Sequence, residues 1–168
     1  MDKPTVLYHA SPNNNIKMFK PKIGKRPGNF DAGPVVFATD NFAFATHFLV
    51  ETDSSWTSDG AINGIQYYVA CDRDRFMASD KGGAIYTLPS DTFVLLKHWE
   101  WYSKSPVKPV SKKLFPSGLE AMIQSGVQVF FVDQNTFQQV KIMPAGLKIL
   151  RSSQSENQKR EVNFKSLG

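Results

Sequence analysis

A histidine and a glutamate stand out among the residues that could do chemistry. His9 ends a short apolar run, Val6-Leu7-Tyr8, that is typical of a β-strand. A neutral imidazole there can hydrogen-bond a ligand hydroxyl, although a histidine bonded to backbone at the edge of the core is the simpler interpretation. Glu100 lies between Trp99 and Trp101. A carboxylate in so apolar a context is costly to bury without a partner, so Glu100 is exposed, paired or functional.

A second strand-like run lies further along the chain. Gly33-Pro34-Val35-Val36-Phe37-Ala38-Thr39 predicts a strand from Val35 to Ala38, and the apolar spacing after it predicts a helix from Phe42 to Val50. Thr39 or Asp40 can cap this helix, because either side chain accepts from the amides of a first turn. A histidine at the end of one strand, followed by strand, turn and helix, is suited to holding a nucleotide.

Other polar and aromatic residues have simple explanations beside their functional ones. Ser11 is a second polar group at the end of the first strand. On the predicted helix, core packing is the default for Phe48, and His47 is expected on the solvent side. Glu120 fits a capping box with Ser117, which explains its presence without catalysis.

Metal and hydrolase chemistry have no motif in this sequence. The histidines at positions 9, 47 and 98 and the cysteine at 71 are dispersed, so their spacing resembles no metal site and we expect none. The sequence also lacks a P-loop, a Gly-x-Gly-x-x-Gly run and a Gly-x-Ser-x-Gly run. Neither a serine nor a cysteine hydrolase is therefore indicated.

The composition is that of one ordinary globular domain. The chain has 168 residues, 41% of them hydrophobic, which predicts a single domain over 1–150 and a flexible polar tail over 151–168. No apolar run approaches the roughly 20 residues of a membrane helix, so no membrane is expected. A single cysteine and an N-terminus without a signal-like apolar region favour a cytoplasmic location, in the producing cell or in a host.

The basic residues are concentrated in two clusters. The formal charge of +5 permits an acidic protein or nucleic acid as a partner but does not require one. Each cluster is either a solvated loop or a rim that faces an anion. The clusters are Lys17, Lys20, Lys22, Lys25 and Arg26, and Lys97, Lys104, Lys108, Lys112 and Lys113.

Strands outnumber helices in the pattern as a whole. We therefore predict an α+β domain whose sheet is mostly antiparallel, with short helices packed on it. One of these helices is capped by Ser117 and ends at Gly126. The predicted strands are 5–9, 35–38, 64–71, 84–88, 93–101 and 127–132, with weaker ones at 137–143 and 147–150. The predicted connections include 20–31, 53–63, 72–76 and 104–116.

These residues resemble the motifs of the ADP-ribosyltransferase superfamily, the fold of diphtheria-type toxins, poly(ADP-ribose) polymerases and rifampin ADP-ribosyltransferases. Leu7-Tyr8-His9-Ala10-Ser11 is similar to the family's first motif, Tyr/Phe-His-Gly-Thr/Ser, with Ala in place of Gly. Gly33 to Thr39 and the following Ala45-Thr46-His47-Phe48 are similar to the second. Glu100-Trp101 is the best match to the third, a Glu on a later strand. The resemblance covers roughly residues 5–105 and implies a split, mostly antiparallel sheet.

The resemblance implies that NAD is the substrate and that the first two motifs bind it. His9 would hydrogen-bond the adenosine ribose, with support from Ser11 and nearby backbone. Phe37 and Thr39 belong to the second motif and would also line the NAD site. The basic loop from Lys20 to Arg26 would attract the pyrophosphate or face an acidic acceptor.

The resemblance also implies where the chemistry takes place. Phe48 or His47, near the position of the family's stacking Tyr, would stack on nicotinamide. Glu100 would hydrogen-bond the 2′-hydroxyl of the nicotinamide ribose and stabilise the positive charge that grows there as nicotinamide leaves. The expected function is NAD-dependent transfer of ADP-ribose to a protein or nucleic-acid acceptor.

Two other functions stay open on this sequence. A relative of the same fold could bind a nucleotide or a nucleic-acid end without NAD chemistry. An RNA 2′-phosphotransferase is one such relative, but it needs several positioned arginines, which are sparse here before residue 151. A non-enzymatic interaction module with a basic surface would instead bind an acidic partner or nucleic acid in a salt-sensitive way.

Overall fold

A computed structural model describes residues 3–23, 33–142, 150 and 155–159. Within these residues the strands form an antiparallel sheet and a smaller mixed sheet, with short helices beside them, so the α+β prediction is confirmed. The strands are β1 (Val6–Ser11), β2 (Val36–Thr39), β3 (Thr57–Ile62), β4 (Ile65–Ala70), β5 (Gly83–Pro89), β6 (Val94–Lys97), β7 (Glu100–Ser103), β8 (Ser111–Phe115) and β9 (Gln128–Phe131). The helices are α1 (Phe42–Thr46), a 3₁₀ turn (His47–Leu49), α2 (Arg73–Ser79), α3 (Gly118–Gln124) and α4 (Gln134–Ile142).

The large sheet has the strand order β6-β7-β2-β1-β5-β8. β1 pairs with β5 along its whole length, whereas β1 and β2 pair only where Tyr8 lies opposite Thr39. The two strands therefore separate beyond Tyr8. One face of this sheet packs Leu7 and Trp101 into a core with Phe19. The opposite face is covered by α1, the 3₁₀ turn and α3.

The small sheet has the order β3-β4-β9, with β3 and β4 antiparallel and β4 and β9 parallel. Asn63 and Gly64 connect β3 to β4 with φ of 50° and 81°, the left-handed conformation that two-residue hairpin loops require. Its core residues include Tyr68 and Phe76, and it packs against α2 and α3. A further cluster around Phe137 of α4 also packs on β4 and β9.

The start of α3 is the most densely hydrogen-bonded helix end among the described residues. Ser117 Oγ accepts from Glu120 N at 3.2 Å, and Gly126 follows the helix with φ of 81°, as the sequence predicts. Asp80 adds a second cap. Its carboxylate accepts from the backbone N–H groups of Gly118 and Leu119, from Ser117 Oγ and from Gly82 N, at 2.6–3.1 Å. One side chain thus joins the end of α2 to the start of α3.

The secondary-structure prediction was wrong in several connections and in two strands. β3 and β8 occupy ranges predicted as loops, and α2 begins inside the predicted connection 72–76. The predicted strand 93–101 is two strands, β6 and β7, because His98 adopts φ of 48° and turns the chain. The predicted strand 137–143 falls on α4 instead. Its buried residues, Phe137 and Val140, are three positions apart, as on one side of a helix.

Some predicted ranges are described only in part. The basic loop 20–31 lies outside the described residues from position 24 onward, and so does the predicted strand 147–150 except for Leu150. In the predicted tail, the structure describes 155–159, where Asn157 bonds to backbone groups of Val127 and Val129. No helix in the described ranges has the length and apolarity to cross a membrane.

Candidate functional site

The strands that carry the three sequence motifs lie side by side in the large sheet, in the order β7-β2-β1. Tyr8 of β1 is opposite Thr39 of β2, and Thr39 is opposite Glu100 of β7. Residues opposite each other on neighbouring strands share a face of the sheet. Thr39 and Glu100 therefore stand in one row on the face that α1 covers, and Phe37, opposite Tyr102, lies on the same face.

Glu100 is held at the first position of β7 by the hairpin turn before it. Asp40 N donates to Trp99 O at 3.2 Å, and Trp101 Nε1 donates to the Asp40 carboxylate at 2.9 Å. These bonds fix the turn against the end of β2. The Glu100 side chain is only 19% exposed, and its carboxylate is 3.8 Å from Lys97 Nζ. The glutamate is thus a paired and largely buried carboxylate rather than an exposed one.

His9 and Ser11 lie on the other face of the large sheet. Their positions alternate with Tyr8, so their side chains leave β1 on the side opposite to Glu100. The His9 ring is 4.6 Å from the Phe19 ring, and its Nδ1–H donates to the carbonyl of Phe37 at 2.6 Å. His9 is therefore bonded to the backbone, as in the simpler of the two interpretations of its position in the sequence.

Ser11 has a local partner as well. Its hydroxyl accepts from Asn13 N at 3.2 Å, which stabilises the turn after β1. The side chains of His9 and Ser11 are therefore not brought beside Glu100. They lie instead near the opening where β1 and β2 separate.

Because the pKa of His9 is lowered in the folded protein, acid is expected to destabilise the fold through this residue. Burial lowers the pKa of His9 and nearby Lys22 does the same, while the bond to Phe37 opposes them. The unfolded chain then binds the proton more tightly, so stability is complete above the unfolded pKa of about 6.5 and falls below it. From about pH 7.5 to about pH 5, the Tm of the wild type should fall more steeply than that of His9→Gln. If Tm falls equally with pH in the wild type and in His9→Gln, His9 does not cause this loss of stability in acid.

The end of α1 places His47 and Phe48 in positions opposite to those predicted. His47 is buried, at 4% exposure, and Phe48 is 55% exposed. The reason is that α1 lasts only to Thr46 and then tightens into the 3₁₀ turn. A helical wheel drawn with α-helical spacing over 42–50 therefore assigns these two side chains to the wrong sides.

His47 and Phe48 line an open cavity of about 570 Å³ between the 3₁₀ turn and the β3–β4 hairpin. The His47 ring packs edge-on to Tyr68, with ring centroids 5.3 Å apart. Its Nδ1 is 3.6 Å from the Asp59 carboxylate, which is too long for a hydrogen bond. Neither ring nitrogen has a hydrogen-bond partner among the described residues. The cavity wall thus contains an imidazole with unused hydrogen-bonding capacity.

Phe44 connects this cavity to the start of β7. Its ring is 5.1 Å from Phe48, 5.5 Å from His47 and 5.8 Å from Trp99, the neighbour of Glu100. Phe44 was not predicted as a site residue, although its spacing of four from Phe48 is a usual signal for a helical aromatic pair. Asp59 and Tyr68 were also missed, because they enter the site only through the hairpin.

Comparisons of this chain with protein-family models, with curated proteins and with solved structures give no significant match. A function is therefore assigned from two features of the molecule itself. These are the adjacent strands β1, β2 and β7 and the cavity beside the 3₁₀ turn.

Proposed function

We propose that the protein transfers ADP-ribose from NAD to a protein or nucleic-acid acceptor, on an ADP-ribosyltransferase-like fold. The observation that carries the proposal is the adjacency of β1, β2 and β7, with Glu100 directly opposite Thr39. The three motifs are far apart in sequence, and the strands that carry them are neighbours in the large sheet. The separation of β1 from β2 beyond Tyr8 supports the split sheet that this fold requires.

The proposed reaction breaks the bond between C1′ of the nicotinamide ribose and the nicotinamide nitrogen. The bonding electrons leave with nicotinamide, and positive charge develops on the ribose. An acceptor nucleophile then forms a new bond to C1′ and loses its proton. Glu100 would accept a hydrogen bond from the ribose 2′-hydroxyl and stabilise this charge. Its low exposure favours that role, because a charge interacts more strongly where water is excluded.

Phe48 is the better candidate than His47 for stacking on nicotinamide. More than half of its side chain is exposed, and its ring is fixed edge-on by Phe44. A planar ring can therefore lie on its open face. His9 and Ser11 would contact the adenosine ribose at the opening between β1 and β2. Since Nδ1 of His9 is bonded to Phe37, Nε2 is the atom of His9 that would face the ligand.

The experiment is an assay of nicotinamide release from NAD, paired with thermal unfolding in the presence of NAD. Release of nicotinamide with attachment of the adenine-labelled product to added protein or nucleic acid is the expected result. A rise in Tm with NAD but no release indicates a binding module of the same fold. If millimolar NAD gives neither a rise in Tm nor release of nicotinamide, the proposal is overturned.

A further inference from the structure

We propose that the cavity between the 3₁₀ turn and the β3–β4 hairpin is a binding site for an organic cation, a guanidinium or an alkylammonium group. The site shares Phe48 with the proposed nicotinamide contact, but its other wall residues take no part in that proposal. Three features support the site: the charge of the cavity wall, the imidazole of His47 without hydrogen-bond partners among the described residues, and the exposed aromatic ring beside it.

The charged side chains of the cavity wall are carboxylates. Glu51, Asp53 and Asp59 line the cavity, and no lysine or arginine is among the described residues that do, in a chain with a formal charge of +5. The negative charge at one end of the wall is balanced by cations of the protein itself. Arg75 lies 3.4 Å from the Asp53 carboxylate, and Lys141 donates to Ser54 O. Glu51 and Asp59 have no such cation within the described part of the chain. A cationic ligand would neutralise them, whereas a phosphate would be repelled.

His47 adds to the acidic wall a buried polar group that needs a hydrogen-bond partner. A buried polar group without a partner is costly, and such groups in folded proteins are rare enough to need an explanation. His47 lines the cavity, and both of its ring nitrogens lack a partner among the described residues. A ligand N–H that donates to the imidazole can also reach Asp59, whose carboxylate lies 3.6 Å from Nδ1. A group with several N–H donors can bond to the unprotonated ring nitrogen of His47 and to the Asp59 carboxylate at the same time.

The aromatic part of the wall narrows the class of cation. Phe48 presents an exposed ring at the cavity, and Tyr68 forms part of its interior. Guanidinium and alkylammonium groups are attracted to such ring faces, and their alkyl stems are compatible with apolar surface. A small hydrated metal ion would gain nothing from either ring. The cavity therefore fits an organic cation on a stem, either the side chain of a protein or a free amine.

The direct test is a binding titration of the full chain, followed by NMR of the histidine rings. The probes are N-acetylarginine amide for a protein side chain and agmatine for a free amine, with N-acetylcitrulline amide as the neutral isostere. Binding of either cation, with shifts of the His47 ring signals and without binding of the citrulline compound, supports the site. The tighter of the two cations identifies its source. Equal binding of all three compounds, or none by the cations, overturns it.

A pair of variants separates the cavity from the general charge of the protein. Asp59→Asn removes one carboxylate of the wall and is expected to weaken cation binding about three- to tenfold. Asp91→Asn makes the same charge change at an exposed residue that does not line the cavity and should leave the affinity unchanged. His47→Phe removes the imidazole acceptor and should weaken the binding of N-acetylarginine amide and of agmatine, although the carboxylates that favour a cation remain. If Asp59→Asn and Asp91→Asn both bind like the wild type, the site is not the one proposed.

Discussion

Glu100→Gln is expected to slow nicotinamide release from NAD by about two to three orders of magnitude, with little change in the fold. The amide has the same size as the carboxylate and can still accept a hydrogen bond from a ribose hydroxyl. It carries no charge, so it cannot stabilise the positive charge that develops on the ribose. The loss should therefore appear in kcat, as measured by initial rates at saturating NAD, more than in KM.

A matched variant controls for the ion pair that the same change removes. Lys97→Gln also breaks the contact with Glu100, but it leaves the carboxylate in place. Lys97 is 66% exposed, so this pair contributes less than about 1 kcal/mol and Lys97→Gln should retain most of the activity. Wild-type turnover in Glu100→Gln would show that another residue carries the charge stabilisation. If Glu100→Gln loses turnover but binds NAD like the wild type, the loss comes from the missing charge and not from damage to the binding site.

Asp80→Ala is expected to lower the free energy of unfolding by about 2 kcal/mol. Two backbone N–H groups of α3, a third N–H at Gly82 and the Ser117 hydroxyl all donate to this carboxylate. Alanine leaves them without their acceptor. Asp133→Ala, which removes the bonds from Thr136 at the start of α4, should cost less because that carboxylate is exposed. Equal losses in chemical denaturation would contradict this ranking.

Lowering the pH should also reduce the free energy of unfolding through Asp80. Burial alone would raise the pKa of Asp80, but the donors from Leu119, Gly118, Ser117 and Gly82 outweigh it and the pKa is lowered. The stabilisation is therefore present above the unfolded pKa of about 3.9 and is lost as the pH falls through the folded value. Urea denaturation from pH 6 downward should give a shallower acid dependence in Asp80→Asn than in the wild type.

The strands with an apolar sequence of their own could be predicted, and those that depend on a partner could not. β1, β2, β5 and β9 all lie within or beside predicted strands. β3, with the sequence Thr-Ser-Asp-Gly-Ala-Ile, is a strand because β4 pairs with it across the Asn63-Gly64 turn. That dipeptide is a strong hairpin signal and was overlooked. β8 is rich in lysine because it lies at an edge of the large sheet, where apolar residues are a liability.

The sequence indicates some residues of the candidate site but not its geometry, and it gives no signal for Asp59 or Tyr68. Nothing in the sequence says that β7 pairs with β2, and therefore that Glu100 lies beside Thr39. The face on which each side chain lies depends on pairing register, since a shift of one residue would exchange the faces of His9 and Tyr8. The positions of His47 and Phe48 likewise depend on where α1 becomes a 3₁₀ turn, a change that apolar spacing does not reveal.

The parallel pairing of β4 with β9 has a consequence for how the cavity forms. Tyr67 pairs with Gln128, and α2, β5, β6, β7, β8 and α3 all lie between them in the chain. Contacts between such distant parts of a chain are entropically costly to close and form slowly. During synthesis, β4 lacks its second neighbour until residues 128–131 have left the ribosome. The small sheet that carries Asp59 is thus complete only after most of the large sheet has been synthesised.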